Sequence, residues 1–259
     1  MFKVIEIKNN SATAKIALQG AHLFHYQRKG EKPLLWLSES SDFEDKKAIR
    51  GGVPICWPSF GNNNPDLPQH GFARTSTFEH LQTKEIDANT TEVTLRLCEC
   101  KLELEVKITI SDILEMQLTT INKGTKEFKL TQALHTYFDI SHISNIYIKG
   151  LDAKSYLDAL KDEICVQKGN IIFEEEVDRV YQGVDAKILL VDKNTTISIK
   201  NKGSSSVVVW NPWIDKCKRM SGMSSEAYKE FVCIESANAY DDFKLLKPNQ
   251  KHTLKATIY

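Results

Sequence analysis

The sequence is poor in the features that would place it in several large functional classes. Neither sign of charge is in excess: 34 lysines and arginines stand against 34 aspartates and glutamates in 259 residues. Such a chain has no overall field with which to hold a polyanion, and no local basic stripe replaces it, so no nucleic-acid partner is expected. A long apolar run is also missing. The longest stretch without Asp, Glu, Lys or Arg, Gly51 to Pro65, is interrupted by glycines, prolines and three asparagines, so no membrane span is expected there. At the N-terminus, Met1-Phe2-Lys3-Val4-Ile5-Glu6 alternates apolar and charged residues where a secretory signal would be uninterrupted, and a cytoplasmic location is expected. The six cysteines contain no CxxC pair, which fits reduced, mostly structural thiols. No GxSxG elbow, GxGxxG turn or GxxxxGK[ST] loop occurs, leaving serine-hydrolase, dinucleotide and P-loop chemistry without support. Neither Cys98 with Cys100 nor His22 with His25 makes a zinc set, and no metal or cofactor is expected.

What the sequence has in abundance is a period of two. Leu102, Leu104, Val106, Ile108 and Ile110 alternate with Lys101, Glu103, Glu105, Lys107 and Thr109, which buries one face of a strand and wets the other. Val93, Leu95 and Leu97 precede them. Leu114, Met116 and Leu118 follow after a turn at Ser111-Asp112, and Asn122-Lys123-Gly124 turns the chain again before Phe128 to Phe138. This reads as an antiparallel meander. Further short strands are expected at Val4 to Lys8, Ala12 to Leu18, Ile146 to Ile148, Ile188 to Val191, Thr196 to Lys200, Val207 to Trp210, Phe231 to Ile234 and Leu254 to Ile258. The fold class is all-β, a large antiparallel sandwich with few short helices, one of them around Ser224 to Phe231. No linker, repeat or charge step divides the chain, so one domain is expected over residues 1–259. Absent heptads give no oligomer signal, and a monomer is expected.

The least strand-like region, Asp42 to Thr77, is rich in proline, glycine and asparagine yet carries Trp57, Phe60 and Phe72, and it is expected to wall a site. His135 shares a strand face with Ala133 and Tyr137, while Leu134 and Phe138 point the other way. It is a satisfied core histidine or a general acid or base. Glu235 ends the apolar run Phe231-Val232-Cys233-Ile234 on the face of Phe231 and Cys233. Either it reaches water at a strand end, or burial raises its pKa and suits it to proton transfer. Arg50 precedes Gly51-Gly52 and Arg74 follows Gln69-His70-Gly71-Phe72-Ala73. Guanidinium forks beside glycines match phosphate or carboxylate oxygens, although either is compatible with an ordinary surface ion pair. Asp178, in the acidic run Glu174 to Arg179, reads as part of a solvated edge. Trp210-Asn211-Pro212-Trp213 suits sugar stacking and core packing equally. Cys56 with His70 has nothing local to mark an activated thiolate.

At these residues the chain resembles the hexose-6-phosphate mutarotases (glucose-6-phosphate 1-epimerases) of the galactose mutarotase-like superfamily. The resemblance is carried in family order by Arg50 to Pro58, Gln69 to Arg74, Ala133 to Phe138, Asp178 to Tyr181, Val207 to Trp213 and Cys233 to Glu235. It implies a galactose mutarotase-like supersandwich in which His135 and Glu235 are the catalytic pair. By the same resemblance Arg50 and Arg74 hold a phosphate, Gln69 and Asp178 contact substrate, and His70 walls the site or meets a hydroxyl. Ser59 and Ser236-Ala237 depart from the family pattern and bear on sugar preference.

The implied activity is interconversion of the α and β anomers of a small-molecule hexose 6-phosphate, glucose 6-phosphate first among them. Ring opening needs a base at O1, expected to be Glu235, and an acid at the ring oxygen, expected to be protonated His135, each supplying about 10²–10⁴-fold. The alternatives are an aldose 1-epimerase acting on unphosphorylated sugars, a non-catalytic carbohydrate-binding module, and a purely structural sandwich.

Overall fold

The period-two stretches become strands of two eight-stranded antiparallel sheets packed face to face. The computed structural model describes residues 3–41, 43–62 and 64–259. Asp42, the first residue of the irregular region, and Met1 and Phe2 of the N-terminal segment lie outside the described residues. One sheet runs in the order Ile146–Lys149, Ile188–Asp192, Thr195–Lys202, Lys251–Ile258, Leu114–Asn122, Leu102–Ile110, Thr90–Glu99 and Glu79–Asp87. In its strand Leu102–Ile110 every apolar residue of the alternation is buried and every residue between them is half exposed. That burial drives pairing with Leu114–Asn122, whose pattern is identical.

The second sheet runs Glu163–Val166, Ser155–Asp158, Val177–Tyr181, Ser206–Asn211, Phe231–Asn238, Gln132–Leu134 and Ile55–Cys56, with Tyr137–Asp139 pairing further along Phe231–Asn238. All six residues of Ser206–Asn211 and all eight of Phe231–Asn238 are buried, because the irregular loops cover the face that does not meet the other sheet. A polar chain crosses the interior between the sheets. The Trp57 indole donates to Thr120 Oγ1 at 2.9 Å, that hydroxyl donates to Gln132 Oε1 at 3.3 Å, and the Gln132 amide donates to Asn238 Oδ1 at 3.0 Å. His252 Nε2 is also 3.0 Å from Asn238 Oδ1. Gln132 and Asn238 face each other in register, so their side chains pin two strands that carry functional residues a few positions on.

The structure departs from the sequence reading in three places. The expected helix at Ser224 to Phe231 is a single 3₁₀ turn, Ala227–Lys229, and the one α-helix among the described residues is Trp213–Arg219. The Asn211 amide group explains this, because its NH₂ donates to the carbonyls of Tyr228 and Phe231 at 2.9 Å each, while its oxygen accepts the Trp213 N–H at 3.0 Å. The acidic run around Asp178 is not a solvated edge: Val177–Tyr181 is an interior strand, paired on both sides, and Asp178 is half-buried. Strands at His22–Arg28, Glu79–Asp87, Ser155–Asp158 and Glu163–Val166 lacked a sequence signal. Glu79–Asp87 is exposed throughout, and an edge strand that buries no face has no alternation to read.

Candidate active site

The register of the second sheet sets the site. Ala133 pairs with Ala237 and Leu134 with Ser236, and beyond a gap Tyr137 pairs with Cys233. The same register carried across the gap puts His135 opposite Glu235. No ladder bond joins them, since the His135 N–H is given to the Pro54 carbonyl at 3.0 Å. Their side chains share one face, with His135 Nε2 3.2 Å from Glu235 Oε1. The remaining polar atom of each, His135 Nδ1 and Glu235 Oε2, is buried and has no hydrogen-bond partner among the described residues. Buried groups left unsatisfied in this way are costly and mark places where a ligand or water completes the set.

Aromatic rings hold the imidazole. Tyr137 stacks on it with centroids 4.9 Å apart at 15°, while Trp210 and His70 present edges at 5.6 and 6.4 Å. His70 reaches this position because Gly71, at φ +68, lets the chain lie against Trp57: a Cβ at Gly71 would come within 2.1 Å of the Trp57 carbonyl oxygen. Burial, with Arg74 adding positive charge, lowers His70 to about 4. Neutral His70 takes the Gly61 N–H on Nδ1 at 3.3 Å.

Burial pushes the Glu235 carboxyl well above the usual carboxylate range, and the charge of Asp178 pushes the same way. Burial likewise holds His135 well below the ordinary imidazole value, and His70 when protonated, Arg74 and Arg50 lower it further. A raised acid touching a lowered base disfavours the ion pair and favours the proton on the carboxyl. The sequence reading had the opposite resting state, with Glu235 ionised and His135 protonated. Desolvation works against it, because an ion pair at 3.2 Å gains less than two buried charges cost unless both are fully hydrogen-bonded, and these are not.

The two arginines flank this pair. Arg50 gives Nε to the Ser221 carbonyl at 3.2 Å, and Arg74 gives Nη2 to the Gln69 carbonyl at 2.8 Å. Among the described residues neither guanidinium has a carboxylate within ion-pair distance, which disfavours the surface ion-pair reading. Arg50 stands on a strap fixed from beneath. His22, fully buried, lies with Nε2 2.8 Å from the Gly51 carbonyl oxygen, the Gly52 N–H donates to Trp36, and the Val53 N–H donates to Leu23. His22 is therefore a neutral donor, lowered to about 4 by burial, and not half of a metal pair.

Asp178 lies on the same sheet face, paired in register with Trp210, which in turn pairs with Cys233. Its carboxylate is 3.8 Å from Lys216 Nζ, which bonds Glu176 at 2.7 Å, and burial raises its pKa. Lys216 escaped sequence reasoning, because a lysine on a short surface helix carries no signal of the neighbour it meets. Gln69 is exposed, and the contact it makes here is through its carbonyl, which accepts from Arg74 Nη2. Beyond Glu235 the floor is apolar, formed by Cys56, Ala133, Val180, Val208 and Ala237. Ser236 points away from it, donating to Asn201 Oδ1 at 2.6 Å. The Cys56 thiol is buried and pushed far up, which leaves a thiolate mechanism with His70 without a nucleophile. No group of three or more metal-ligating side chains converges among the described residues.

Comparison with known proteins bears on the whole chain. The family model described as aldose 1-epimerase matches residues 3–259. An Escherichia coli K12 protein named "Putative glucose-6-phosphate 1-epimerase" is 32% identical over 263 residues, covering 96% of this chain and 87% of that protein. A Cenchrus ciliaris protein of the same name is 32% identical over 271 residues, 96% of this chain and 82% of its own length. Among solved structures, a Salmonella typhimurium protein described as a putative mutarotase (YeaD) superposes with a TM-score of 0.91 at 31% identity, covering 99% of this chain and 90% of that one.

Proposed function

The chain belongs to the aldose 1-epimerase family, and from that premise we propose that it interconverts the α and β anomers of a hexose 6-phosphate, with His135 and Glu235 moving the protons. The observation that carries this reading is the opposed imidazole and carboxyl at 3.2 Å, each with a buried polar atom left open, between two guanidinium groups that no carboxylate among the described residues neutralises.

Anomerisation needs O1 to lose a proton while the ring oxygen gains one. Both oxygens are attached to C1, so two side chains standing side by side can address them together. Neutral His135 takes the O1 proton and the Glu235 carboxyl gives its proton to the ring oxygen. The C1–O5 bond breaks, C1 becomes an aldehyde, and rotation about C1–C2 presents its other face. On closure the O5 hydroxyl returns its proton to the Glu235 carboxylate as it attacks C1. The imidazolium gives its proton to the new O1, and the pair is restored. No group is consumed, which suits a reaction whose substrate and product are both hemiacetals.

Arg50 and Arg74 bind the phosphate and set the orientation, and the lack of a carboxylate partner for either among the described residues favours a phosphorylated substrate over a free sugar. Asp178, Gln69 and His70 complete the reading as partners for sugar hydroxyls. The monomeric, cytoplasmic enzyme formed by residues 1–259 as one domain belongs to the same proposal, and sedimentation and fractionation test it. The deciding experiment is NMR exchange between α and β glucose 6-phosphate. The protein accelerates exchange, and His135→Ala loses about 10²–10⁴-fold while keeping its melting behaviour. Unchanged exchange in that variant removes His135 from the mechanism.

A further inference from the structure

A second cavity, of about 350 Å³, is walled by Ser59, Lys129, Thr131, Tyr240, Asp241 and Phe243. Its size falls at the lower end of small-molecule sites. Two features distinguish it from an incidental surface hollow. Ser59 is only 4% exposed and lines the cavity, yet its hydroxyl has no hydrogen-bond partner among the described residues. Thr131, 6% exposed, accepts the Phe60 N–H at 2.8 Å and keeps its own hydroxyl proton to give. Both hydroxyls stand at the cavity wall with a proton to give to a ligand's oxygens.

Tyr240 is the second feature. It sits at φ +52, a backbone region that residues with side chains seldom occupy and that recurs at ligand sites. That conformation lays its ring against the apolar floor of Cys56, Ala133, Val180, Val208 and Ala237, the strip in which Val208 pairs with Glu235. The ring thus lines the second cavity with its back to the cluster that underlies Glu235. Facing the cavity with it are the Phe243 ring, with Lys129 Nζ 4.2 Å from its centroid, and the exposed carboxylate of Asp241. One cation and one anion cancel, so the cavity does not select for charge. Aromatic faces bordered by hydroxyls and a carboxylate match a ring whose C–H faces are apolar and whose rim is all hydroxyl.

We propose that this cavity is a second carbohydrate subsite, taking an uncharged sugar or polyol, with Ser59 and Thr131 donating to its hydroxyls and Tyr240 lining it. It goes beyond the anomerisation reading and does not need it; only the competitor in the test borrows from that reading.

The test is saturation-transfer NMR on the full chain with free glucose as probe, with and without excess glucose 6-phosphate to fill the cleft. For the intact protein, at least half the glucose signal should survive the competitor. Ser59→Trp, which fills the cavity, should cut the signal several-fold both with and without competitor. Asp241→Ala, at an exposed position that does not endanger folding, should also lower the signal and decides the matter if Ser59→Trp does not fold. The proposal is overturned if glucose gives no signal, if excess glucose 6-phosphate abolishes it, or if both variants leave it unchanged. Absence of any catalysed exchange in the parent would instead defeat the anomerisation reading, and the effect of Ser59→Trp on the glucose signal without competitor would still report on the cavity.

Discussion

Replacing Glu235 by Gln should give a protein that is inactive and, at neutral pH, more stable than its parent. The carboxyl is 2% exposed, its Oε2 has no partner among the described residues, and burial raises its pKa well above the ordinary range. A carboxyl that binds its proton more tightly when folded than when unfolded stabilises the fold below the unfolded value, near 4.5, and that contribution fades as pH rises toward the folded one. The slope inside that window approaches about 1.4 kcal/mol per pH unit. Glutamine has the same shape and no proton to lose, so it escapes the loss. His135, held low by burial, acts in the other direction: stability falls as pH drops below 6.5, where the unfolded imidazole takes a proton that the folded one refuses. That term is present in both proteins and largely cancels in the comparison.

Urea denaturation of parent and variant at half-unit steps from pH 5 to 8 measures the difference. The stability of Glu235→Gln relative to the parent should increase with pH, by about 1 kcal/mol or more per unit at the steepest point. A flat difference would mean that burial does not hold the proton on Glu235. A difference of opposite sign would mean that Glu235 is ionised against a protonated His135, and the uncharged pair favoured above would be wrong.

Arg50→Ala and Arg74→Ala should each raise KM for glucose 6-phosphate about 10–100-fold, the worth of a charge-assisted hydrogen bond, and leave exchange of free glucose within a few-fold; equal losses on both substrates would remove the phosphate role. Gly52→Ala should melt at least several degrees lower, since Gly52 lies at φ +63 and its Cβ would fall 2.5 Å from the Leu23 carbonyl oxygen and 2.7 Å from His22 Nε2; an unchanged melting temperature would mean that the strap beneath Arg50 is not rigid. Gln132→Leu, which leaves Thr120 and Asn238 short of partners between the sheets, should cost about 1–3 kcal/mol in urea denaturation, and a neutral outcome would show that the polar chain is not needed for stability.

The residue order of Leu102–Ile110 and Leu114–Asn122 was enough to specify strands, their faces and the hairpin between them, because a half-buried strand writes its burial into alternate positions. The same parity placed His135 with Tyr137, and Glu235 with Cys233. Family motifs then named Arg50, Arg74 and Asp178 as partners. Residue order could not say that Asp178 lies inside a sheet, because its acidic neighbours imitate a surface and the pairing that buries it comes from Ser206–Asn211, about thirty positions on. Nor could it give the resting place of the proton. That depends on how much water surrounds two groups a hundred residues apart, and desolvation is a property of the packed interior alone. Local sequence determined which atoms each strand presents; only the pairing of distant strands within one sheet and the loops laid over its outer face decided what those atoms touch, and so what charge they carry.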